Sequence, residues 1–219
     1  MLTKKQTKII LSIKKYARAK FCEDTTGHDW WHTFRVWKLA SYLAKKEKKI
    51  DLFVVQLASL LHDLEDWKLD HGIKIKPLLK KLNTEPKTIE QVCAIIANVS
   101  FKGAKIKKSI LSLEGKIVQD ADRLDAIGAI GISRAFAYGG SKNRPIYNPK
   151  QRPILHTTFK KYQNSKSCAI NHFYEKLLLL KKQLNTKTAK IIAKQRHEFM
   201  KVFLKHFFAE WNISNLEQK

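Results

Sequence analysis

The sequence predicts an all-α protein, and three observations lead to that prediction. Apolar residues recur with helical spacing through almost the whole chain. No stretch convincingly alternates apolar and polar residues as a half-buried strand does, and no two-residue hairpin turn is evident. The 219 residues, 44% of them hydrophobic and 10% aromatic, suffice to bury a substantial core in one domain.

The helices follow one another with few long connections. The first mixes apolar residues with lysines, the second and third carry apolar stripes, and the sixth is mainly Ala, Ile, Gly and Leu around its acids. The last two, rich in Leu, Phe and Lys, either pack on the core or form the surface of a homodimer. The predicted helices span residues 4–20, 29–47, 51–66, 75–82, 86–100, 112–138, 157–184 and 187–212.

The longest irregular segment is expected at 139–153, GGSKNRPIYNPKQRP, which holds three of the five prolines. A loop of that length in a compact domain is usually functional or disordered. The three cysteines form no CxxC pair, which argues against a disulfide framework and a thiolate zinc site. With no signal peptide and no membrane span recognisable, we expect a cytoplasmic protein without membrane partners.

The formal net charge of +24 raises the possibility of a nucleic-acid-binding protein. However, the lysines are spread through nearly every segment, as on a solvated helix surface, and no DNA- or RNA-binding motif is recognisable. We therefore do not expect nucleic acid as a partner. The alternative to an enzyme is a basic nucleic-acid-binding protein with a vestigial metal site.

The distribution of acidic residues is more informative than the net charge. Seven of the 19 acids fall in two short stretches within apolar helical patterns, and residues 126–174 contain no Asp or Glu but eight Lys or Arg. Acids in the core with bases beside them indicate a metal ion that faces an anion. The seven acids are Asp63, Glu65, Asp66, Asp70, Asp120, Asp122 and Asp125.

Two histidines and several of these acids are predicted to meet in the core. His32 shares an apolar stripe of the second helix, and His62-Asp63 ends the apolar run LFVVQLASLL. An ionised carboxylate after such a run needs a partner or a cation. The sixth helix adds three carboxylates, for which Arg123 alone supplies too little counter-charge. A divalent cation held by His32, His62, Asp63 and one Asp of that helix would satisfy them.

These residues resemble the HD-domain superfamily of metal-dependent phosphohydrolases: His32 in HTFRV, His62-Asp63 in LLHDLED and Asp122 in ADRLD. The flanking segments GHDWWHTFRVWKLA, NVSFKGA, VQDADRLDAIGAIGISR and GGSKNRPIY look like a small bacterial subfamily that includes nucleotide pyrophosphohydrolases. The resemblance covers roughly residues 20–210. It implies one HD-type helical bundle with additional C-terminal helices over residues 1–219, with the metal site in 28–125, a basic substrate loop at 139–153 and C-terminal helices at 157–212.

By this resemblance, His32, His62, Asp63 and Asp122 match the superfamily's metal ligands. The Ala-Asp-Arg-Leu context favours Asp122, while Asp120 stays open as an alternative ligand or a residue that supports one. One divalent ion is expected, with Mn²⁺ favoured. The donor set would also accept Mg²⁺, Fe²⁺, Co²⁺, Ni²⁺ or Zn²⁺.

The remaining candidates concern proton transfer and substrate binding. Asp66 lies on the same helical face as His62 and is the leading candidate to accept a proton from water, with Glu65 the weaker one. Cationic and polar residues near the predicted site are nominated to bind an anionic nucleotide: His28, Lys102, Arg123, Lys142, Arg144 and Tyr147. His172 is expected to be structural or exposed.

The sequence therefore predicts a hydrolase that releases pyrophosphate from (deoxy)nucleoside triphosphates, with metal-activated water as the nucleophile. The same site could support a nucleoside monophosphate phosphatase, similar to a 5′-nucleotidase, or another HD phosphodiesterase. The fold and the metal site alone do not choose among these substrates.

Overall fold

A computed structural model describes residues 2–22, 24, 27–64, 74–101, 110–158, 160–161 and 164–213. These residues form an all-α structure without a β-strand among them, as predicted. Seven regular helices come first: α1 (Lys4–Phe21), α2 (Trp30–Ala44), α3 (Leu52–Leu61), α4 (Ile75–Lys81), α5 (Pro86–Val99), α6 (Leu113–Asp125) and α7 (Gly128–Ser141). Within the described ranges, no helix is long and apolar enough to span a bilayer.

From Ala169 onward, the described residues form two more helical segments. The segment α8 starts as an α-helix at Ala169–His172, continues as a π-helical turn at Phe173–Leu177, and ends with a short α-helical piece at Leu178–Leu180 and a 3₁₀ turn at Lys181–Gln183. Helix α9 (Lys187–Trp211) follows. It packs mainly against α7 and α6 through an apolar stripe that includes Met200 and Leu204.

The centre of the core is helix α3, which contacts α1, α2, α5 and α6. Its sequence LFVVQLASLL is buried on almost every side of the helix. Because apolar residues occupy nearly all positions, the sequence shows no clear helical periodicity there. Asp51 starts the helix by accepting hydrogen bonds from the backbone N–H groups of Phe53 and Val54. At its other end the chain delivers His62 and Asp63 directly into the interior.

The helix predicted at 112–138 is wrong in one respect, because the structure divides it into α6 and α7. Gly128 has a φ of +79°, a left-handed conformation that glycine adopts without steric penalty. Helix α6 therefore ends at Asp125 and a separate helix begins at Gly128. The break allows side chains from both helices, including Asp125 and Arg134, to reach the same point.

Other predicted boundaries also change. Residues 164–168 are not helical, so the helix predicted at 157–184 has its core-forming part only from Ala169. Helix α3 ends at Leu61, earlier than expected, and residues 65–66 lie outside the described ranges. Helix α7 continues to Ser141 and shortens the predicted loop at its start.

Candidate metal centre and substrate cleft

His32 is placed in the first turn of α2 by the helix cap. The Asp29 side chain accepts a hydrogen bond of 2.8 Å from the backbone N–H of His32, which fixes where the helix begins. The imidazole is completely buried and points toward α3 and α6, the two helices that α2 contacts most closely. Three elements of the core thus converge around one side chain.

Four side chains bring acceptor atoms together at this point: His32, His62, Asp63 and Asp122. The Nε2 atoms of the two histidines lie 3.2 Å apart. His32 Nε2 lies 3.2 Å from Asp63 Oδ2 and 3.7 Å from Asp122 Oδ1. His62 Nε2 lies 3.3 Å from Asp63 Oδ1 and 3.9 Å from Asp122 Oδ1.

Hydrogen bonds on the far side of each imidazole assign its proton. His62 Nδ1 lies 2.9 Å from the backbone carbonyl oxygen of Ser59, which can only accept, so Nδ1 donates. His32 Nδ1 lies 2.7 Å from Oδ2 of the Asp125 carboxylate and donates to it. In the neutral form, each imidazole with its proton on Nδ1 turns the lone pair of Nε2 toward the other imidazole and the two carboxylates.

This donor set fits a divalent cation. When both imidazoles are neutral, two Nε2 lone pairs and two carboxylates face one another and repel, and a shared cation removes that repulsion. Donors at roughly 2.0–2.2 Å from one ion stand roughly 3 to 3.5 Å apart. The two Nε2 atoms lie 3.2 Å from each other and 3.2–3.9 Å from the carboxylate oxygens. Histidines held by a carboxylate or a carbonyl through the second ring nitrogen are the usual metal-binding form. Two groups of three described side chains lie close enough to share an ion, His32, His62 and Asp122 in one and His28, His32 and Asp63 in the other, and His32 belongs to both.

The electrostatics of the site point to the same excess of negative charge. Burial opposes ionisation of Asp63, but the neighbouring His62 and His28 hold the pKa of its carboxyl well below its usual range. Burial similarly opposes ionisation of Asp122, and His62 and His32 lower its pKa. For His32, burial and the charge of Arg134 lower the pKa, but hydrogen bonds with Asp125 and Asp63 outweigh them and raise it. The site thus attracts a positive charge.

Asp125 has a central supporting role that was not predicted from the sequence. It is 1% exposed and accepts hydrogen bonds from His32, from Arg35 at 2.7 and 3.1 Å, and from Arg134 at 3.2 Å. Burial raises the pKa of its carboxyl, but the bonds from His32 and Arg35 more than compensate and hold it far below the usual range. The sequence signal for Asp125 was that it is the third acid in the predicted sixth helix, which is otherwise mainly apolar. Its counter-charges come from other helices, Arg35 on α2 and Arg134 on α7.

Two predicted site residues on α6 lie elsewhere. Both oxygens of Asp120 accept hydrogen bonds of 2.7–2.8 Å from Asn185 and Thr186, immediately before α9, so Asp120 holds α9 against α6 and does not join the metal donors. Arg123 is 5% exposed, donates to the backbone carbonyl of Gln183, and has a pKa lowered by burial. The predictions that Asp120 is an alternative metal ligand and that Arg123 binds substrate are therefore corrected. Successive residues of a helix point about 100° apart, so Asp120, Asp122 and Arg123 face different neighbours.

A cleft opens beside this meeting point. Asp63 and Asp122 lie in its wall together with residues of α7 and α8. Arg134 is fixed there by a 2.6 Å bond from Nε to the carbonyl oxygen of Gly27. The charged and imidazole side chains that line the cleft are His28, Asp63, Asp122, Arg134, Arg144, His172, Glu175 and Lys176.

Of the residues nominated for substrate binding, two line this cleft. His28 Nδ1 lies 3.0 Å from Asp63 Oδ2, and its ring packs edge-on against His32 and Tyr138. Arg144 donates a 2.7 Å hydrogen bond to the carbonyl oxygen of Ser165, and its guanidinium lies 5.5 Å from the Tyr138 ring. Both positions would bring a cationic or donor group to a bound anion.

Two other nominated residues are placed differently. Lys142 is exposed and is not among the described residues of the cleft lining, although its Nζ lies 5.8 Å from the Tyr138 ring. Tyr147 packs in an aromatic cluster with Phe207, Phe208 and Trp211 of α9, which leaves its ring half-buried. It is therefore not among the described residues that line the cleft. Lys102, Glu65 and Asp66 lie outside the described residues.

The structure also adds cleft residues that sequence reasoning missed. His172, expected to be structural or exposed, lines the cleft with Glu175 and Lys176 of the same segment. Arg134 and Glu175 were not nominated at all. Glu175 and Lys176 follow His172 by three and four residues, and this spacing is the sequence signal that each can lie beside His172 on a helix.

Comparison with known proteins places this architecture in a family. The HD domain family model matches residues 30–127. The uncharacterized protein YpgQ of Bacillus subtilis is 39% identical over 207 residues, which cover 92% of this chain and 93% of YpgQ. A crystal structure of YpgQ in complex with ADP superposes with a TM-score of 0.75 and 35% identity, covering 94% of this chain and 96% of that one.

Two further crystal structures are similar over nearly the whole chain. A protein from Lactobacillus plantarum superposes with a TM-score of 0.87 at 41% identity, covering 97% of this chain and 100% of that one. An HD-superfamily hydrolase from Bacillus thuringiensis does so with a TM-score of 0.70 at 38% identity, covering 94% and 98%. The helical core, the four convergent donors and these similarities together show that the chain belongs to the HD-domain superfamily of hydrolases.

Proposed function

We propose that the protein is a divalent-metal-dependent nucleotide hydrolase that cleaves (deoxy)nucleoside triphosphates at the α-phosphorus and releases pyrophosphate. One observation carries this proposal: the side chains of His32, His62, Asp63 and Asp122 meet at one point. The Nδ1 protons of both histidines are directed away from that point. Such a set can hold a divalent ion, and two of its members, Asp63 and Asp122, lie in the wall of a cleft that also presents basic side chains.

The nucleotide as substrate is supported by a relative and by the charge of the cleft. YpgQ was crystallised in complex with ADP, and its structure is similar to 94% of this chain. Arg144, Arg134 and Lys176 lie along the cleft, where a guanidinium can bind two phosphate oxygens at once and an ammonium supplies a point charge. His28 is positioned between the metal donors and Tyr138, within reach of the same anion.

We assign His32, His62, Asp63 and Asp122 to hold the ion, and Mn²⁺ is the ion we favour. When bound, a divalent cation polarises a phosphoryl oxygen and brings the pKa of coordinated water toward neutrality. The chain's own contribution is to hold the Nδ1 proton of each imidazole and fix the orientation of its ring, through Asp125 and the Ser59 carbonyl, so that Nε2 faces the ion. Basic cleft residues orient the phosphates for in-line attack.

Acceptance of the water's proton is assigned from the sequence to Asp66, four residues after His62. A general base typically contributes about 10² to 10⁴ in rate. We therefore expect Asp66→Asn to lower kcat within that range and to leave metal affinity unchanged, with Glu65→Gln as the neighbouring control. An equal loss in both variants would contradict the assignment.

The central experiment is product analysis on purified protein with a panel of nucleoside mono-, di- and triphosphates and several divalent ions. We expect pyrophosphate from deoxynucleoside triphosphates with Mn²⁺, and loss of that activity on chelation and its return on adding Mn²⁺. Activity unchanged by a chelator would overturn the metal dependence. Inorganic phosphate from monophosphates alone would identify a phosphomonoesterase instead.

Two variants of α6 provide a matched test of the metal centre. Asp122→Asn should abolish most Mn²⁺ binding with little loss of stability, because its carboxylate oxygen faces Nε2 of both His32 and His62. Asp120→Asn should lower the unfolding midpoint and leave the Mn²⁺ affinity of the folded protein unchanged, because its carboxylate bonds only to Asn185 and Thr186 among the described residues. Titration calorimetry and urea denaturation measure the two quantities. The reverse pattern would show that Asp120 is the ligand.

A further inference from the structure

Glu175 lies in the π-helical turn of α8 and lines the cleft, although only 5% of it is exposed. It is the first acidic residue after Asp125, at the end of a stretch of 49 residues that carries only positive charges (126–174). Single π-helical turns within helices are rare and occur often at functional sites. A buried carboxylate in the basic part of a cleft for an anionic substrate calls for an explanation.

One oxygen of this carboxylate is fixed by the protein. Glu175 Oε1 accepts hydrogen bonds from the backbone N–H of Ile154 at 3.0 Å and from the hydroxyl of Ser167 at 2.8 Å. These bonds connect α8 to the loop that precedes it and hold the side chain in one orientation. Within the described part of the chain, Oε2 accepts no hydrogen bond, so the second oxygen is available to a ligand.

Its chemistry sets Glu175 apart from the other carboxylates of the cleft. Asp63 and Asp122 belong to the metal donors, whereas Glu175 is on α8, as are His172 and Lys176, which also line the cleft. A carboxylate repels phosphate oxygens and accepts hydrogen bonds from hydroxyl or amino groups. In a nucleotide those donors are on the sugar and the base, so the phosphates fit beside Arg144 and the metal donors, and the nucleoside fits at Glu175.

We infer that Glu175 is a specificity-determining residue that accepts, through Oε2, a hydrogen bond from an O–H or N–H group of the nucleoside. The inference rests on the proposed nucleotide hydrolase function and adds the contact that selects the nucleoside. The donor is a sugar hydroxyl or an amino group of the base, which share this chemistry. Ser167 acts as a positioning residue because its hydroxyl holds Oε1.

The test uses Glu175→Gln, which preserves size and shape. The amide oxygen can replace Oε1 opposite Ile154 and Ser167, so the NH₂ group takes the position of Oε2 and turns an acceptor into a donor. Glu90→Gln, an exposed change on α5, is the matched control. KM and kcat are measured with Mn²⁺ on dATP, on its 3′-deoxy analogue and on the analogue whose purine lacks the exocyclic amine.

With dATP, Glu175→Gln should raise KM about 10- to 100-fold, as for loss of a hydrogen bond to a charged group, with kcat changed less than about threefold. For the analogue that lacks the relevant donor, wild type and variant should have equal KM, and this identifies the sugar or the base as the source. Ser167→Ala should show the same selectivity at smaller amplitude, and Glu90→Gln should match wild type.

A loss of equal size on dATP and both analogues, or no change in KM, would overturn the inference. An equal loss on all three substrates, together with a lowered melting temperature of Glu175→Gln, would mean that Glu175 only connects α8 to its preceding loop. Failure of the proposed function is a separate result, because wild type would then release no pyrophosphate from dATP at all.

Discussion

Nδ1 of His32 donates a 2.7 Å hydrogen bond to Oδ2 of Asp125, a residue 93 positions later in the chain. The same carboxylate accepts hydrogen bonds from Arg35 and Arg134, so three positive or donor groups from α2 and α7 meet on one side chain of α6. The bond decides which nitrogen of His32 carries the proton. It therefore decides whether Nε2 can coordinate a cation.

Asp125→Asn should weaken Mn²⁺ binding about 10- to 100-fold, the range typical for losing a residue that orients a metal ligand. The amide cannot accept from His32 and both arginines at once, and its NH₂ group must face one of these donors. Titration calorimetry measures the effect. Asp51→Asn is the control, because Asn caps α3 as well as Asp does and should bind Mn²⁺ like wild type. Unchanged affinity in Asp125→Asn would show that His32 does not need this partner.

The stability of the metal-free protein should fall in acid through Asp125. Hydrogen bonds from His32 and Arg35 outweigh burial and hold its pKa far below the usual value of about 3.9. A lowered folded-state pKa gives stability that is present above the unfolded pKa and is lost as the pH falls from about 4 toward the folded pKa. Urea midpoints at pH 6, 4 and 3 with a chelator should fall more steeply for wild type than for Asp125→Asn. Parallel curves would contradict this prediction.

Arg144→Ala should raise KM for the nucleotide at least about tenfold, because its guanidinium lines the cleft and its Nη2 is held by the Ser165 carbonyl. Lys142→Ala removes the same charge two residues earlier from an exposed side chain and should change KM less than about twofold. Steady-state kinetics at two salt concentrations compare the variants. Equal effects would mean that the whole basic segment attracts the substrate without a defined contact.

The close approach of the chain between α6 and α7 depends on Gly131. A Cβ atom there would lie 2.3 Å from the backbone carbonyl oxygen of Ala126, which cannot move without displacing the end of α6. Gly131→Ala should therefore lower the free energy of unfolding by about 3 kcal/mol or more. Gly140→Ala, in the same helix with open space around the added methyl group, should leave it unchanged or raise it by up to about 1 kcal/mol. Urea denaturation distinguishes them, and equal stability of the two variants would refute the steric explanation.

Helix-forming segments were predictable where apolar periodicity is strong, as in α2 and α5, whose predicted bounds differ from the structure by a few residues. The division between α6 and α7 was not, because Gly128 adopts a positive φ and its flanking residues continue the apolar pattern. The non-helical residues 164–168 were also missed. Their conformation depends on contacts with distant residues, such as the bond from the Cys168 N–H to the Gln151 side chain.

The sequence by itself determined the class of fold and predicted that His32, His62, Asp63 and one Asp of α6 meet, because an ionised group inside an apolar helical pattern needs compensation wherever the helix lies. The resemblance to HD domains favoured Asp122 as that Asp. Only the tertiary structure decided how each charge is compensated. It directs Asp120 to α9, Arg123 to the Gln183 carbonyl and Asp125 to His32. The physical reason is that side chains two or three residues apart on a buried helix face different neighbours, and those neighbours are set by packing between helices far apart in the sequence.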